Sequence, residues 1–336
     1  MRTILLYCIL LFTSCTVNKG SILALFDRIE ELNGDTLSPE VFLGNAYQII
    51  KVDSFFLIVD PYEGFLMTVA NISTGEIKRT LRIGQGPNDL LQSIEISQLL
   101  NDSILNILET STNSIVKFNI NDVIFGQSPT IIEKITFDYE AGRLQESEDC
   151  FFALGYFENG LIGSYNKNGQ KLKEHFEYPG KAAMYENPQQ RSYAYQSNIK
   201  ISPDGRKMVQ AGVHTDLLCF YRIDKSDITE VKRYFFNDPN VIFQLGLDLS
   251  DIKEYFISIH ASNDKIYTIY KGFSDNERKN QPMYVLCFDW DGQPLKAYKI
   301  NNNYLYSICT NEAETELYLL STEDNGAIIK YIVLHK

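Results

Sequence analysis

Histidines and acidic side chains are the groups of this 336-residue chain that could hold a metal ion or transfer a proton. The histidines show neither HExxH nor HxH spacing, which would bring two imidazoles to one ion. They are His175, His214, His260 and His335. His260 ends a predicted inner strand and could face a central channel. A single imidazole defines no mechanism, so a structural role is the favoured interpretation.

Several carboxylates are predicted at strand ends or turns, where they could gather as oxygen ligands for Ca²⁺. They are Asp60, Glu109, Asp204 and Asp264. No Asp-x-Asp-x-Asp loop accompanies them, and each alone is typical of a turn. The sequence therefore predicts no catalytic residue, no metal site and no cofactor.

The stretch Gly84-Gln85-Gly86-Pro87 is the least ordinary local sequence of the chain. It lacks the third glycine and the lysine–serine pair of phosphate loops, and no βαβ pattern follows it. A glycine pair followed by proline is more typical of a sharp turn. The chain also contains no GxSxG elbow, which argues against an α/β-hydrolase.

The segment from Tyr185 to Tyr195 is an aromatic, amide-rich link between the third and fourth predicted repeat units. Tyrosine and amide side chains with one arginine suit a contact with carbohydrate or protein. The alternative, which we favour, is a long inter-blade loop that packs its tyrosines against the disc.

Residues 1–14 are predicted to be a signal peptide, because Arg2 is followed by the short apolar run Ile4–Phe12. Small residues, Thr13-Ser14, then stand directly before Cys15. This arrangement resembles a bacterial lipoprotein signal, which is cut before a cysteine whose sulfur carries lipid. An ordinary secretory signal that contains a cysteine is the alternative.

The remaining cysteines of the predicted mature chain lie in or beside apolar, strand-like runs. They are Cys150, Cys219, Cys287 and Cys309. None has CxxC spacing, so neither a zinc site nor a redox motif is indicated. Buried small hydrophobic side chains are the default interpretation. An even number in an exported chain leaves one or two disulfides open.

Composition limits both the partners and the fold class. A formal net charge of −12 argues against a nucleic-acid partner, because phosphate binding needs a basic surface. The 21 tyrosines and 20 phenylalanines favour half-buried β-strands. Helical spacing of apolar residues predicts a short helix or an amphipathic lead-in segment in Ile22–Leu32. From Val41 onward the sequence predicts short strands and turns, with no helix of ten residues.

The strand-like runs recur with a period. Predicted inner strands are Gln48–Lys51, Ser93–Ser97, Asn198–Ser202, Phe256–Ile259 and Ser307–Cys309. Six units over residues 46–336 would be about 48 residues each, whereas seven would need about 42. The sequence therefore predicts an all-β, six-bladed β-propeller of four-stranded antiparallel blades. A pair of β-sandwiches and a β-solenoid are the alternatives.

These features together resemble the TolB-like six-bladed propeller lipoproteins of bacteria. The resemblance rests on the lipoprotein signal at Cys15, the Gly84–Pro87 loop, and hairpins such as Ile201–Arg206. The family's loop usually continues with GPxE, whereas Asn88-Asp89 follow here. Because members largely lack an assigned activity, the resemblance implies a fold and an envelope location, without catalytic residues.

The predicted organisation is a signal peptide (1–14), a lipidated tether and lead-in (15–40), and a propeller (41–336). No acidic residue follows Cys15 in Thr16–Lys19, which favours the periplasmic side of the outer membrane. We expect a lipid-anchored, non-enzymatic module that binds an envelope protein or glycan. The alternative is a lactonase- or lyase-like enzyme with a divalent cation in the channel.

Overall fold

The computed structural model describes residues 20–37, 43–91, 94–100, 103–138, 141–185, 187–239, 241, 248–279, 281–302, 304–321 and 327–333, without the side chains of 98–100 and 327. The predicted signal peptide, Cys15 and His335 lie outside the described residues. None of the helices in these ranges is long and apolar enough to cross a membrane.

The N-terminal segment is one 3-10 turn followed by two strands, so the helix predicted in Ile22–Leu32 is wrong. The turn covers only Ile22–Leu25. Strands β1 (Ile29–Leu32) and β2 (Gly34–Thr36) follow it. Both strands pair with the edges of distant sheets. This pairing with the rest of the fold overrides the local helical spacing, because a short isolated helix is marginal in water.

The remaining strands form six sheets, each built on a continuous segment of the chain. In chain order they are β3 (Gln48–Val52), β4 (Phe55–Tyr62), β5 (Phe65–Asn71) and β6 (Ile77–Arg82); β7 (Ile94–Leu100), β8 (Ile104–Glu109), β9 (Ser114–Asn119) and β10 (Ile131–Thr136); β11 (Ala141–Glu146), β12 (Phe151–Gly155), β13 (Ile162–Tyr165) and β14 (Lys171–His175); β15 (Ser197–Ile201), β16 (Lys207–Gly212), β17 (Leu218–Asp224) and β18 (Asp227–Tyr234); β19 (Glu254–Ala261), β20 (Lys265–Phe273), β21 (Met283–Asp289) and β22 (Pro294–Ile300); β23 (Leu305–Thr310), β24 (Glu316–Ser321) and β25 (Ala327–Ile332).

Two short α-helices and further 3-10 turns lie between strands. The α-helices are α1 (Ile120–Phe125) and α2 (Pro188–Ala194), and the turns are Thr110–Thr112, Ala182–Met184, Leu249–Asp251 and Asp275–Glu277.

The sheets are the blades of a six-bladed β-propeller, which confirms the predicted fold class. Within each of the continuous segments from β3 onward, the strands follow in sequence order from the axis outward, and each pairs antiparallel with the next. The innermost strands, β3, β7, β11, β15, β19 and β23, contact those of neighbouring blades and surround the axis. Apolar residues of facing sheets pack between the blades, for example Val209 and Leu218 of the fourth blade with Ile266 of the fifth.

The N-terminal strands close the ring. Strand β2 pairs antiparallel with β25 and supplies the outermost strand of the sixth blade, which the C-terminal segment leaves with three. Strand β1 pairs in parallel with β22 and adds a fifth strand to the fifth blade. The propeller sheets therefore include residues upstream of 41. Strands β1 and β2 are thus held by backbone pairing with β22 and β25, which lie far away in the sequence.

The four cysteines predicted to be buried are buried free thiols. They are Cys150, Cys219, Cys287 and Cys309. Burial raises the pKa of Cys219 and of Cys287 to about 12, so both stay protonated at neutral pH. These thiols act as small packing groups, as their apolar surroundings in the sequence predict.

Substitution of Gly34 tests the closure. A Cβ at this position would lie 2.5 Å from Cε1 of Tyr331 and 2.7 Å from Cγ2 of Ile329, and the Tyr331 side chain is buried. We expect Gly34→Val to lower the free energy of unfolding by about 1–3 kcal/mol through overpacking. Asp35→Val is the matched control, because Asp35 is exposed on the same strand. Urea unfolding measures both; equal stability of the two variants would contradict this account.

Candidate functional site

A central channel opens where the innermost strands begin, and all six blades supply polar side chains to its mouth. The cavity there measures about 250 Å³. Its lining includes Gln48, Glu95, Arg143, Asn198, Ser258 and Ser307, one from each innermost strand.

Hydrogen bonds at this mouth join the first three blades side by side. The Gln48 side-chain amide donates to the carbonyl of Ile96 at 2.8 Å and accepts from the Ile96 N–H at 2.7 Å. Arg143 of the third blade forms an ion pair with Glu95 of the second. Gln145 donates to the Ser97 carbonyl at 2.6 Å. Each bond crosses an interface between two blades.

The other interfaces carry equivalent bonds. Arg143 Nε donates to Asn198 Oδ1 at 3.4 Å, and Asn198 Nδ2 donates to the Phe256 carbonyl at 3.1 Å. His260 Nε2 and Thr310 Oγ1 are 3.0 Å apart, which joins the fifth blade to the sixth. The Ser307 hydroxyl accepts from the backbone N–H of Ile49 at 3.0 Å, which joins the sixth blade to the first.

His260 lies on the innermost strand of the fifth blade, as the sequence predicts, but it is not among the described residues that line the cavity at the channel mouth. Its role there is a hydrogen bond between blades. Burial, with repulsion from Lys200, lowers the pKa of His260 to about 4, so the imidazole is neutral at physiological pH. Neither of these observations assigns it a catalytic step.

Lys200 also lines the cavity at the channel mouth, and sequence reasoning did not single it out. Its ammonium donates to the Ser97 carbonyl at 2.8 Å, from the fourth blade to the second. Burial lowers its pKa below the ordinary value. The available signal was a lysine between two isoleucines of a predicted inner strand, since lysine is rarely enclosed without a reason.

The predicted carboxylates do not converge on one site. Asp60 forms an ion pair with Arg79 at 3.1 Å within the first blade. Glu109 accepts from the Leu91 N–H at 2.6 Å and from Lys134 at 2.7 Å. Burial opposes ionisation of Glu109, but these hydrogen bonds outweigh it, and its pKa is lowered. Both carboxylates thus have structural partners.

The other two carboxylates lie in turns between first and second strands of their blades. Asp204 accepts from the Ser202 hydroxyl at 2.6 Å and the Arg206 N–H at 3.1 Å, and Asp264 is exposed. No group of three or more His, Cys, Asp or Glu side chains that could hold a metal occurs in the described part of the chain.

The Gly84–Pro87 loop connects β6 at the rim to β7 at the axis. The Gly84 N–H donates to the Leu90 carbonyl at 3.1 Å. The Asp89 carboxylate folds back and accepts from the Gly86 N–H at 2.9 Å. A Cβ at Gly86 would lie 2.7 Å from Asp89 Oδ2, so a larger residue there would displace the Asp89 side chain. The loop is a turn, as its sequence predicts.

A second cavity is a cleft of about 650 Å³ that crosses the third blade on the face where the channel opens. Its base includes residues 141–143 at the start of β11, and its walls are helix α2 and the 3-10 turn at Thr110. Arg143 and Thr110 line both the cleft and the channel mouth. The two cavities are therefore neighbours.

Aromatic and neutral polar side chains dominate the cleft. Its lining includes Tyr156, Tyr178, Tyr193 and Tyr195, together with Gln189, Gln190 and Gln196, and Arg143 is its one charged side chain. Tyr156 is 39% exposed and offers its ring to a ligand. Flat aromatic rings beside amide groups can bind a hydroxyl-rich or peptide-like surface.

Helix α2 positions one wall of this cleft, and local sequence explains its formation. Asn187 caps the helix, accepting from the Gln190 N–H at 2.9 Å, and Pro188 occupies the first helical position. The Arg191 guanidinium donates to the Glu158 carbonyl at 3.0 Å and attaches the helix to the third blade. The interpretation of this segment as a loop missed the Asn-Pro start signal.

Some tyrosines of the segment from Tyr185 to Tyr195 pack against the propeller, and another is partly exposed in the cleft. Tyr185 and Tyr195 are buried, as expected for packing against the disc. Tyr193 is half-buried, lines the cleft and packs its ring 4.8 Å from that of His214. Tyr156 and Arg143 belong to other elements, so the sequence of this segment alone could not reveal the complete site.

Comparison with known proteins identifies the fold independently. A family model described as TolB-like 6-blade propeller-like matches residues 27–313. Two solved structures are similar over nearly the whole chain. A candidate exported protein from Bacteroides fragilis NCTC 9343 has a TM-score of 0.54 at 11% identity, covering 91% of this chain and 95% of its own. A DUF4221 family member from Bacteroides vulgatus ATCC 8482 has a TM-score of 0.55 at 10% identity, covering 92% and 98%. No curated protein matches the sequence significantly.

The buried imidazole of His260 predicts loss of stability in weak acid. Its pKa is about 4 in the fold and near 6.5 in the unfolded chain, so unfolding takes up a proton between these values. The free energy of unfolding should fall as pH decreases from 7 to 5. Urea unfolding of His260→Gln should show a smaller fall, while His175, whose pKa is also about 4, titrates in both proteins. Equal falls would refute this assignment.

Proposed function

The chain belongs to the TolB-like six-bladed propeller family, and we propose that it is an exported, lipid-anchored binding module of the bacterial cell envelope. Two observations support export: the signal-like residues 1–14, and a description of one structural neighbour as a candidate exported protein. In this proposal the module binds a partner without transforming it.

The cleft across the third blade is the observation that carries the proposal. Its volume of about 650 Å³ falls in the range of ligand sites, and its base and walls come from three successive blades. The walls are a capped helix and a strand-to-strand turn, so much of the site exists before a ligand binds. A preformed site loses less conformational entropy on binding.

The chemistry of the cleft favours an envelope glycan over a protein. Tyrosine rings can pack against the C–H faces of sugars, and the glutamine side chains offer both donors and acceptors to hydroxyl groups. A protein interface would more often present a larger apolar centre. An extended protein segment is the other ligand class that the experiment below detects.

The anchor would hold the propeller near a membrane. Six residues lie between Cys15 and Ile22, where the described 3-10 turn begins, so about seven Cα–Cα steps join the two. A fully extended chain of that length spans at most about 25 Å. Lipidation of Cys15 would therefore keep the propeller within roughly one domain diameter of the lipid surface.

Removal of an exposed ring tests the cleft. We expect Tyr156→Ala to weaken binding to envelope polysaccharide by at least about 1 kcal/mol, since an exposed aromatic anchor is lost with little effect on the fold. Phe125→Ala is the control, because Phe125 is 65% exposed but lies on α1, outside the cleft. Affinity electrophoresis in polysaccharide extracted from the source cells measures both. Binding of neither polysaccharide nor extracted envelope protein would overturn the proposal.

Substitution of the anchor residue tests attachment separately. Without a thiol at position 15, Cys15→Ala cannot receive lipid, so the protein should remain uncleaved or appear in the soluble fraction. Cell fractionation and the mass of the mature N-terminus measure this outcome. Cys309→Ala is the matched control, because Cys309 is buried in the propeller. Normal cleavage of Cys15→Ala with continued membrane partition would exclude lipidation.

A further inference from the structure

We propose that the central channel contains a site for one anionic oxygen group, a carboxylate or a phosphate, bound by Lys200. This inference goes beyond the proposed function, because it concerns the channel and does not depend on what occupies the cleft. Lys200 lines the cavity of about 250 Å³ at the channel mouth.

The first step of the argument is the incomplete pairing of Lys200. An ammonium carries three N–H donors, and the described contact of Lys200 is with one neutral acceptor, the Ser97 carbonyl at 2.8 Å. That carbonyl also accepts from Gln145 at 2.6 Å. Among the described side chains, no carboxylate lies within ion-pair distance of Lys200. The channel therefore encloses an ammonium group that can donate further hydrogen bonds to a ligand.

The second step is the sign of the charge at the mouth. The cavity lining contains the cations Arg143 and Lys200 and a single carboxylate, Glu95. Arg143 already pairs with Glu95, and the same carboxylate attracts Lys200 from a distance, so among the described lining residues one carboxylate balances two cations. The whole chain has a net charge of −12, so this local excess of positive charge opposes the general trend. At physiological ionic strength, charges more than about 8 Å from an ion are largely screened from it. The charged groups that line the cavity therefore determine which ions bind there.

The third step is room and hydrogen bonding. A cavity of about 250 Å³ is large enough for a phosphate or a small sugar acid. The hydroxyls of Ser258 and Ser307 line it together with the Asn198 amide. Enclosing an ionised side chain costs several kcal/mol unless it is paired, and an anion would recover part of that cost. Oxygen anions accept the charge-assisted hydrogen bonds that an ammonium donates.

Two probes at constant ionic strength test the site: inorganic phosphate and D-galacturonate, with neutral D-galactose as the control ligand. We expect saturable binding of one probe by calorimetry, with a matching rise in melting temperature. Phosphate binding would identify a phosphate site, and galacturonate binding a carboxylate site. The inference would be overturned if neither probe bound saturably with a dissociation constant below about 10 mM. A dissociation constant of that size corresponds to a binding free energy of less than about 3 kcal/mol.

Two variants with opposite expected effects on affinity show whether Lys200 binds the anion. Lys200→Met should weaken binding at least tenfold, whereas Glu95→Gln should tighten it several-fold by removing the repulsive carboxylate. Lys207→Met is the control, because Lys207 pairs with Asp291 beyond the far end of β15. Unchanged affinity in Lys200→Met would refute the assignment. If that variant does not fold, unchanged affinity in Glu95→Gln would do so.

The cleft variant separates this inference from the proposed function. Tyr156→Ala should leave phosphate or galacturonate binding unchanged, because Tyr156 lines the cleft and not the channel. Loss of anion binding in Tyr156→Ala would place the anion in the cleft and overturn the channel site. Failure of polysaccharide binding would leave the channel site unaffected.

Discussion

Closure of the ring is the constraint on which the other features of this protein depend. The C-terminal segment provides only three strands of the sixth blade, and β2 completes that sheet through backbone hydrogen bonds with β25. Side-chain bonds between innermost strands then fix each blade against the next, from Gln48 around to Ser307. Each such bond contributes about 1 kcal/mol, but together they hold the strands at a common distance from the axis. The channel exists because this ring is complete.

We propose two kinds of recognition for two neighbouring cavities, the cleft and the channel. The cleft presents tyrosine rings and amides, which suit a neutral, hydroxyl-rich surface. The channel presents an enclosed lysine, which suits an oxygen anion. Arg143 lies between them and lines both. Its ion pair with Glu95 therefore links the shape of the cleft to the charge of the channel.

Segments that depart from the repeated strand pattern form the candidate site, whereas strands that follow the pattern form the blades that hold it. Strands with an apolar pattern, such as Gln48–Val52, pack between blades and were predicted. The first strand of the third blade, Ala141–Glu146, was not, because glycine, arginine and glutamine interrupt its apolar pattern. Of these residues, Gly142 and Arg143 line the cleft, Arg143 also lines the channel mouth, and Gln145 bonds to the second blade. Function-bearing positions thus weaken the signal that identifies a strand.

The sequence by itself determined the repeat, the number of blades, the turn at Gly84–Pro87 and the burial of the cysteines. These follow from local chemistry, since strand periodicity, glycine–proline turns and apolar neighbours act within a few residues. Only the tertiary structure decided that Ile29–Leu32 is a strand, that α2 walls a cleft, and that Lys200 is enclosed opposite Ser97. Each of these depends on groups far apart in the chain, and sequence periodicity carries no information about which distant groups meet when the ring closes.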